Sequence, residues 1–413
     1  MTCAGDWSSV PESAAGFWLR LTALASCVTA ALVVASGELG LAHRALALAA
    51  LPPLVALVVA ARWAHRRLLP LAGAALGLLL AEIALGGLVS LTGAGWARGL
   101  HVAVAVLTLV AAVLAAAAVF RGGAVAAGPW RDYVTLTKPR IMSLLLLTGA
   151  AGMFVGADGA PPLADLLVLL AGLALACGGA SALNHVLDRD IDRLMGKRTE
   201  RRPVAAGRVP PAAALEFGLA LSAASFVLLA TLANVLTALL ALAGNLFYVV
   251  VYTRWLKRST PQNIVWGGAA GAIPPLVGWA AATGNLTLPA LFLFGVVFVW
   301  TPPHFWALAL LIRDEYRAAR VPMLPVVSGV GATTRQILLY SFALVGVTLL
   351  PVLWSMFGVI YLVSAAALGA VFVVLAWRLR TDATRARAAL LFHYSLAYLA
   401  LLFVAMAVDP LVV

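Results

Sequence analysis

Charge is scarce in this chain. Of 413 residues only 11% are Asp, Glu, Lys or Arg, and 63% are hydrophobic. A soluble globular fold is excluded, because its surface carries far more charge than this. Cysteine is rarer still: Cys3, Cys27 and Cys177 are the whole set. That excludes a disulfide framework and a cysteine-based zinc site, both of which need paired spacings. Strict apolar–polar alternation is missing too, which argues against a transmembrane β-barrel. Residues 1–16 lack the basic start of a cleavable signal segment, so none is expected. Acidic side chains number 16 against 28 Lys and Arg, for a formal charge of +12. In a soluble protein that excess would suggest nucleic acid. Here the cations sit in short loops between apolar runs, so the lipid bilayer is the expected partner and nucleic acid is not.

What is present is a series of apolar runs, each long enough to cross a bilayer as a helix. Four precede residue 125, at about 17–36, 42–62, 69–91 and 99–120. Nine follow, at about 140–157, 163–187, 211–231, 235–253, 263–282, 288–311, 336–353, 357–377 and 388–408. The sequence therefore predicts an all-α polytopic membrane protein, with a four-helix bundle over 1–125 and a nine-helix bundle over 126–413. The Gly/Ala-rich and then polar stretch at 121–133 is the expected linker. Basic residues concentrate in alternate connections: 62–67, 121–140, 188–202, 253–258, 313–320 and 377–387. The positive-inside rule then puts the N-terminus in the cytoplasm, in a multi-pass cell (inner or plasma) membrane protein. It also puts all those loops on the cytoplasmic face.

Chemistry concentrates in NHVLDRDID (184–192). Asn184, Asp188 and Asp192 are four residues apart and share one face of a helix. Carboxylates at a membrane helix end are costly and usually functional. Beside Lys197, Arg198, Arg201 and Arg202 they suggest Mg²⁺ held against a diphosphate, since magnesium uses one or two carboxylates together with phosphate oxygens. The other reading is a solvated, charged helix end. Asp190 points elsewhere by spacing. Two further loops belong to the same face. One, at 313–325, carries Asp314, which could hold a second magnesium. The other, at 252–263, offers Tyr252, Lys257 and Arg258. Three such loops favour a shared polyanion site.

His304 follows Pro302 and Pro303 inside an apolar run, where the helix is expected to be kinked or locally unwound. A histidine at that depth needs a partner. A bound substrate and a freed backbone carbonyl are both open to it. Tyr248, Trp266, Trp300 and Phe305 could face a carbocation, or simply pack. His185 points off the acidic face, and His393 has no evident partner.

The stretch from about 130 to 408 resembles the UbiA family of intramembrane prenyltransferases, and within it the haem-acting branch. The residues that carry the likeness are YVTLTKPRIMSLLLLTGAAGMF (133–154), NHVLDRDIDRLMGKRTERRP (184–203), YTRWLKRSTPQNIVWGGAAGAIPPLVGW (252–279), WTPPHFWALAL (300–310) and the Asp314–Pro325 segment. The resemblance implies a helical chamber opening to lipid and magnesium-dependent ionisation of farnesyl diphosphate. It implies attack by a vinyl group of haem b, giving haem O. On it, Asn184, Asp188, Asp192 and Asp314 are the catalytic metal ligands. Arg140, Lys197, Arg198, Arg202, Lys257 and Arg258 steady phosphate. Arg317 and Ala318 stand where relatives often have another carboxylate. A quinone precursor or other lipid acceptor is the alternative within the same chemistry, and a non-catalytic transporter or haem-binding factor is the alternative outside it.

His43 and His101 open the second and fourth N-terminal spans, near the outer ends of both helices. Two imidazoles at one depth can ligate a haem iron, or be unrelated interfacial residues. AHRALALAA, AEIALGGLVSLTGAG (81–95) and LHVAVAVL (100–107) resemble one four-helix half of the haem A synthase family. Glu82 replaces a usual glutamine, and Glu38 stands at a different offset from the family's glutamate. The resemblance implies a domain that holds or delivers haem b, or one that docks a partner such as haem A synthase, and not haem oxidation by this chain alone.

Overall fold

The structure, a computed structural model, describes residues 129–351 and 356–412 continuously, residues 47–64 and 69–92, and scattered positions within 22–30 and 100–115. The chain divides into two compact units, Met1–Val125 and Ala126–Val413.

Among the described residues, the second unit holds nine membrane-length helices. They are α1 (Pro139–Gly156), α2 (Leu163–Leu187), α3 (Pro211–Leu232), α4 (Val235–Ser259), α5 (Asn263–Thr283), α6 (Leu288–Leu311), α7 (Gly329–Leu349), α8 (Val359–Thr381) and α9 (Arg385–Val412). Each apolar run satisfies its own backbone groups as a helix, the solution open to a chain in hydrocarbon. Successive membrane-length helices run in opposite directions, and the acidic end of α2 meets the end of α4 through the Lys257–Asp188 pair. The C-terminal ends of α2, α4 and α6 therefore fall at one end of the bundle.

Glycine sets the tightest crossings. A β-carbon on Gly278 of α5 would meet the Gly149 carbonyl of α1 at 1.8 Å, and one on Gly152 would meet the Pro275 carbonyl at 2.3 Å. Close backbone approach replaces the hydrophobic drive that helices lack within lipid. Side-chain hydrogen bonds add to it. Asn245 on α4 donates to the Ala176 carbonyl of α2 (3.1 Å) and to Ser222 Oγ of α3 (2.9 Å). At the opposite end from the basic loops, buried Asp409 of α9 accepts from the backbone N–H groups of Gly358 and Tyr361 (3.1 Å for Tyr361), capping the start of α8.

Four local features differ from the expected spans. Helix α7 begins at Gly329, whose positive φ of 77° turns the chain directly into it. Helix α4 does not end near 253; it continues through a π-helical segment, Phe247–Leu256, and carries Lys257 and Arg258 in its last turn. The acidic helix is interrupted at Asp188 and resumes over Arg189–Leu194. Helix α6 runs through Pro302 and Pro303 without unwinding.

In the first unit, helices span Leu51–Ala64 and Leu69–Thr92, packed through small residues such as Ala50, Ala61, Ala72 and Ala75. The expected spans at 17–36 and 99–120, and His43, lie largely or wholly outside the described residues.

Candidate functional site

The break at Asp188 does not scatter the acidic residues. Asp188 N–H donates to the Asn184 carbonyl and Asp192 N–H to the Asp188 carbonyl, both at 2.8 Å. The i, i+4 ladder survives, and Asn184, Asp188 and Asp192 keep one face. They are 3%, 1% and 1% exposed. Burying them demands partners.

Those partners come from three directions. Lys257 Nζ lies 2.5 Å from Asp188 Oδ2. Arg202 lies 2.6 Å from Asp192 Oδ1. Lys138 Nζ donates to Asn184 Oδ1 at 2.9 Å. The Asn184 amide then donates to Asp188 Oδ2 (2.8 Å) and to Thr253 Oγ1 (3.1 Å), so it links α2 to α4. Arg258 forms a two-pronged pair with Asp190, both bonds 2.7 Å, and donates to the Leu187 carbonyl at 2.6 Å.

Local structure aims each group. The wide π turns of α4 present Tyr252, Thr253 and Lys257 toward the α2 end; such segments recur at functional sites. Tyr248 and Tyr252 stack at 5.6 Å, and Gly267 leaves room for the Tyr252 ring. Lys138 adopts φ 52°, a left-handed conformation that turns the chain into α1 just before Pro139. Thr199 Oγ1 donates to the Asp192 carbonyl at 2.7 Å, folding the basic loop back over the acids. Arg208 holds Asp132 through bonds of 2.9 and 3.0 Å and donates to the Arg201 carbonyl at 3.0 Å, tying that loop to the helix Trp130–Leu136.

Protonation follows from these contacts. Burial, and then the nearby Arg202 charge, push the Lys138 ammonium down to about 7. Burial also raises Asp192, against the pull of Arg202. Exposed Asp190 is held down at about 2 by its bonds to Arg258.

The structure thus brings Asn184, Asp188, Asp192, Arg202, Tyr252, Lys257 and Arg258 to one helix end. Other expected residues lie apart. Arg140 and Lys197 are exposed and touch none of the acids, and the Arg198 side chain lies outside the described residues. Asp314 shares the same end of the bundle, since it follows the C-terminus of α6 and its neighbour Tyr316 lies within electrostatic reach of Tyr252. Its carboxylate, however, points outward to Arg317 (2.8 Å) and Arg313 (3.6 Å). It lines a separate cavity of about 310 Å³ with Glu315, Thr384 and Arg385. Within that segment, Glu315 Oε2 is the buried carboxylate oxygen without a partner.

His304 bonds through Nδ1 to Ser395 Oγ at 2.6 Å and not to a freed carbonyl. It stacks between Trp300 (4.2 Å) and Phe392 (4.9 Å). Ser395 already donates to the Phe392 carbonyl, so Nδ1 carries the shared proton and the ring lone pair sits on Nε2. Trp266 is largely exposed and Trp300 is buried. In the first unit, His101 Nδ1 donates to the Glu82 carbonyl at 3.0 Å, and Glu82 is buried. Sequence reasoning missed Lys138 and Thr253. Lysine directly before a helix-starting proline was the available signal for the first; the second had none.

Among the described residues no three His, Cys, Asp or Glu side chains form a metal-holding group. Magnesium needs no such cage, since water and phosphate oxygens complete its shell. Asp188 Oδ1 and Asp192 Oδ2 are buried without a hydrogen-bond partner. Two hard oxygen donors on one face, ringed by cations, fit a magnesium–diphosphate pair.

The chain is also similar to known proteins. The description of the UbiA prenyltransferase family fits residues 145–403. The chain belongs to this family. A protoheme IX farnesyltransferase of Trichodesmium erythraeum is 54% identical over 284 residues, covering 68% of this chain and 86% of the relative. Protoheme IX farnesyltransferase 1 of Pseudomonas fluorescens is 53% identical over 281 residues, covering 68% and 93%. That of a Roseiflexus species is 51% identical over 282 residues and is only 53% covered. Among solved structures, a UbiA homologue from Aeropyrum pernix K1 shares 23% identity with a TM-score of 0.54, covering 65% of this chain and 98% of that one. A digeranylgeranylglyceryl phosphate synthase structure shares 17% identity with a TM-score of 0.58, covering 69% and 99%. These two share the fold. The UbiA match leaves residues 1–144 outside it.

Proposed function

We propose that this chain is a magnesium-dependent prenyltransferase that transfers the farnesyl group of farnesyl diphosphate to a vinyl group of haem b, giving haem O. The observation that carries the magnesium and diphosphate roles is the buried Asp188–Asp192 pair, each with one unpartnered oxygen, inside a ring of Lys138, Lys257 and Arg202. Identities above 50% to protoheme IX farnesyltransferases support haem as the acceptor.

Asp188 and Asp192, with the side-chain amide oxygen Oδ1 of Asn184, would hold the metal, and Lys138, Lys257 and Arg202 would hold the diphosphate. Magnesium, when bound, supplies positive charge that eases departure of the diphosphate. The farnesyl C–O bond breaks and diphosphate takes the electron pair. The haem vinyl carbon bonds to the allylic carbon. Water adds to the resulting cation beside the porphyrin and loses a proton, leaving a hydroxyethylfarnesyl group. The stacked Tyr248–Tyr252 pair, within electrostatic reach of Asp188, offers ring faces to the allylic cation. The surrounding apolar helices keep water from quenching it early. His304, with its lone pair on Nε2, is suited to contact the haem iron. On the second loop a carboxylate could reach the diphosphate only through a second magnesium, and Asp314 as it stands is turned to Arg313 and Arg317.

The first unit would be a four-helix domain like half of haem A synthase, holding haem b through His101 and His43 or docking haem A synthase. The Nδ1–H bond of His101 to a carbonyl, which fixes its tautomer, supports the ligand role. The positive loops support a plasma-membrane protein with its N-terminus and active site facing the cytoplasm.

The test is product mass. Purified protein with farnesyl diphosphate, Mg²⁺ and a mixture of haem b and a quinone precursor should form haem O and diphosphate. Prenylation of the quinone precursor alone would refute the acceptor.

A further inference from the structure

Lys138 and Lys257 hold two of the side chains a metal would use, while Asp188 keeps its other oxygen free. Lys257 sits on Asp188 Oδ2 and Lys138 on Asn184 Oδ1. We propose that these two lysines are exchange counter-ions, so that the site takes its metal as a metal–diphosphate complex and not as a bare ion. The proposal rests on the diphosphate reading above and adds the order of assembly to it.

Charge decides the point. Asp188 and Asp192 face Lys138, Lys257 and Arg202, while Arg258 is committed to Asp190. Two carboxylates against Lys257, Arg202 and a partly protonated Lys138 leave little net negative charge to attract a bare dication. Like charges would surround it in a buried site, where they are poorly screened. Only Asp188 Oδ1 and Asp192 Oδ2 are open to it, too few donors for a magnesium shell without phosphate. A fully ionised allylic diphosphate is a trianion, and its magnesium complex is still anionic. That complex brings negative charge for the lysines as its metal claims the carboxylates. Lysine suits the exchange, because a compact ammonium on a flexible stem re-aims its three donors readily. Arg202 stays on Asp192 Oδ1, which leaves Oδ2 for the metal.

The experiment titrates the full chain in detergent with Mn²⁺, read by electron paramagnetic resonance, with and without inorganic pyrophosphate. Wild type should bind Mn²⁺ weakly alone and at least about tenfold more tightly with pyrophosphate. Lys257→Met and Lys138→Met should each tighten binding of Mn²⁺ alone by about tenfold or more, the least expected from removing a charge roughly 4 Å away at an effective dielectric near 20. Both should shrink the gain from pyrophosphate. Lys257→Arg, which keeps the charge, should leave Mn²⁺ alone weakly bound. Asp188→Asn should abolish binding in both arms, marking the signal as the site's own. Wild-type binding of bare Mn²⁺ as tight as with pyrophosphate, or lysine variants with no gain, would overturn the exchange. No Mn²⁺ binding by wild type even with pyrophosphate would instead overturn the diphosphate reading itself. If Lys257→Met does not fold, Lys138→Met alone decides.

Discussion

Removing Asp188 separates the structural from the chemical role of one ion pair. Its carboxylate is 1% exposed and Lys257 is 12% exposed, so the pair is largely withdrawn from water. Asp188→Ala leaves the ammonium buried without its partner, which should cost about 3–5 kcal/mol of stability. Lys257→Met is milder, at about 2–4 kcal/mol, because Asp188 keeps the Asn184 N–H and an Arg258 nitrogen at 3.9 Å. The double variant buries neither charge and should lose only about 1–2 kcal/mol, an apparent coupling of roughly 3 kcal/mol or more. Turnover should behave otherwise. Asp188→Ala should lower haem O formation at least about a hundredfold, and the second substitution should restore none of it, because no carboxylate returns to the metal. Unfolding in SDS followed by tryptophan fluorescence measures the first quantity, and product mass the second. A coupling below about 0.5 kcal/mol, or a double variant that regains activity, would refute the reasoning.

Three further outcomes test the frame around the site. Asp409→Ala should cost about 2–4 kcal/mol by stripping two backbone donors of a charged acceptor, whereas Asp409→Asn, an equally good cap, should cost less than about 1 kcal/mol; turnover per folded molecule should be unchanged in both. Gly278→Ala places a β-carbon 1.8 Å from the Gly149 oxygen and should prevent folding or cost more than about 3 kcal/mol, while Gly271→Ala on the same helix meets nothing within 4 Å and should be neutral or stabilising in a thermal melt. Arg258 lowers the Asp190 pKa from 3.8 to about 2, so that pair's contribution is complete above about pH 4 and fades as pH falls toward 2. Arg258→Met should therefore flatten the stability difference between pH 5 and pH 3, and added salt should shrink it in wild type because the pair is exposed.

The parts legible in the sequence are those fixed by local periodicity. Apolar runs predict the nine helices of the second unit, and four-residue spacing predicts one face for Asn184, Asp188 and Asp192. What was not legible depends on single backbone choices or on distant contacts. A single residue, Pro139, separates Lys138 from Arg140, both cations, yet the left-handed turn at Lys138 points one inward and leaves the other exposed. The π segment of α4 shifts the facing of every later residue, so Thr253 reaches Asn184, a contact that ordinary helical spacing does not forecast. Asp409 lies 48 residues beyond the N–H of Tyr361 that it accepts from, and only tertiary packing joins them. Asp314 reads as the acid of its loop, but the helix restart at Arg313 turns it to its own arginines and leaves Glu315 with the buried oxygen.

Two adjacent cations at the end of α4 show why residue type matters as much as charge. Arg258 spends its planar fork on Asp190 twice and on the Leu187 carbonyl once. The last contact satisfies a carbonyl at the C-terminus of α2, where the helix dipole favours a cation. Three bonds in fixed geometry make Arg258 a staple between α2 and α4, and letting go would cost all three. Lys257, one residue earlier, has a single bond, to Asp188 Oδ2. An ammonium with one contact can change partners while its neighbour keeps the two helix ends in register. The fork thus stands where the fold must not move, and the single point charge stands where, on the proposed function, an arriving anion would be met.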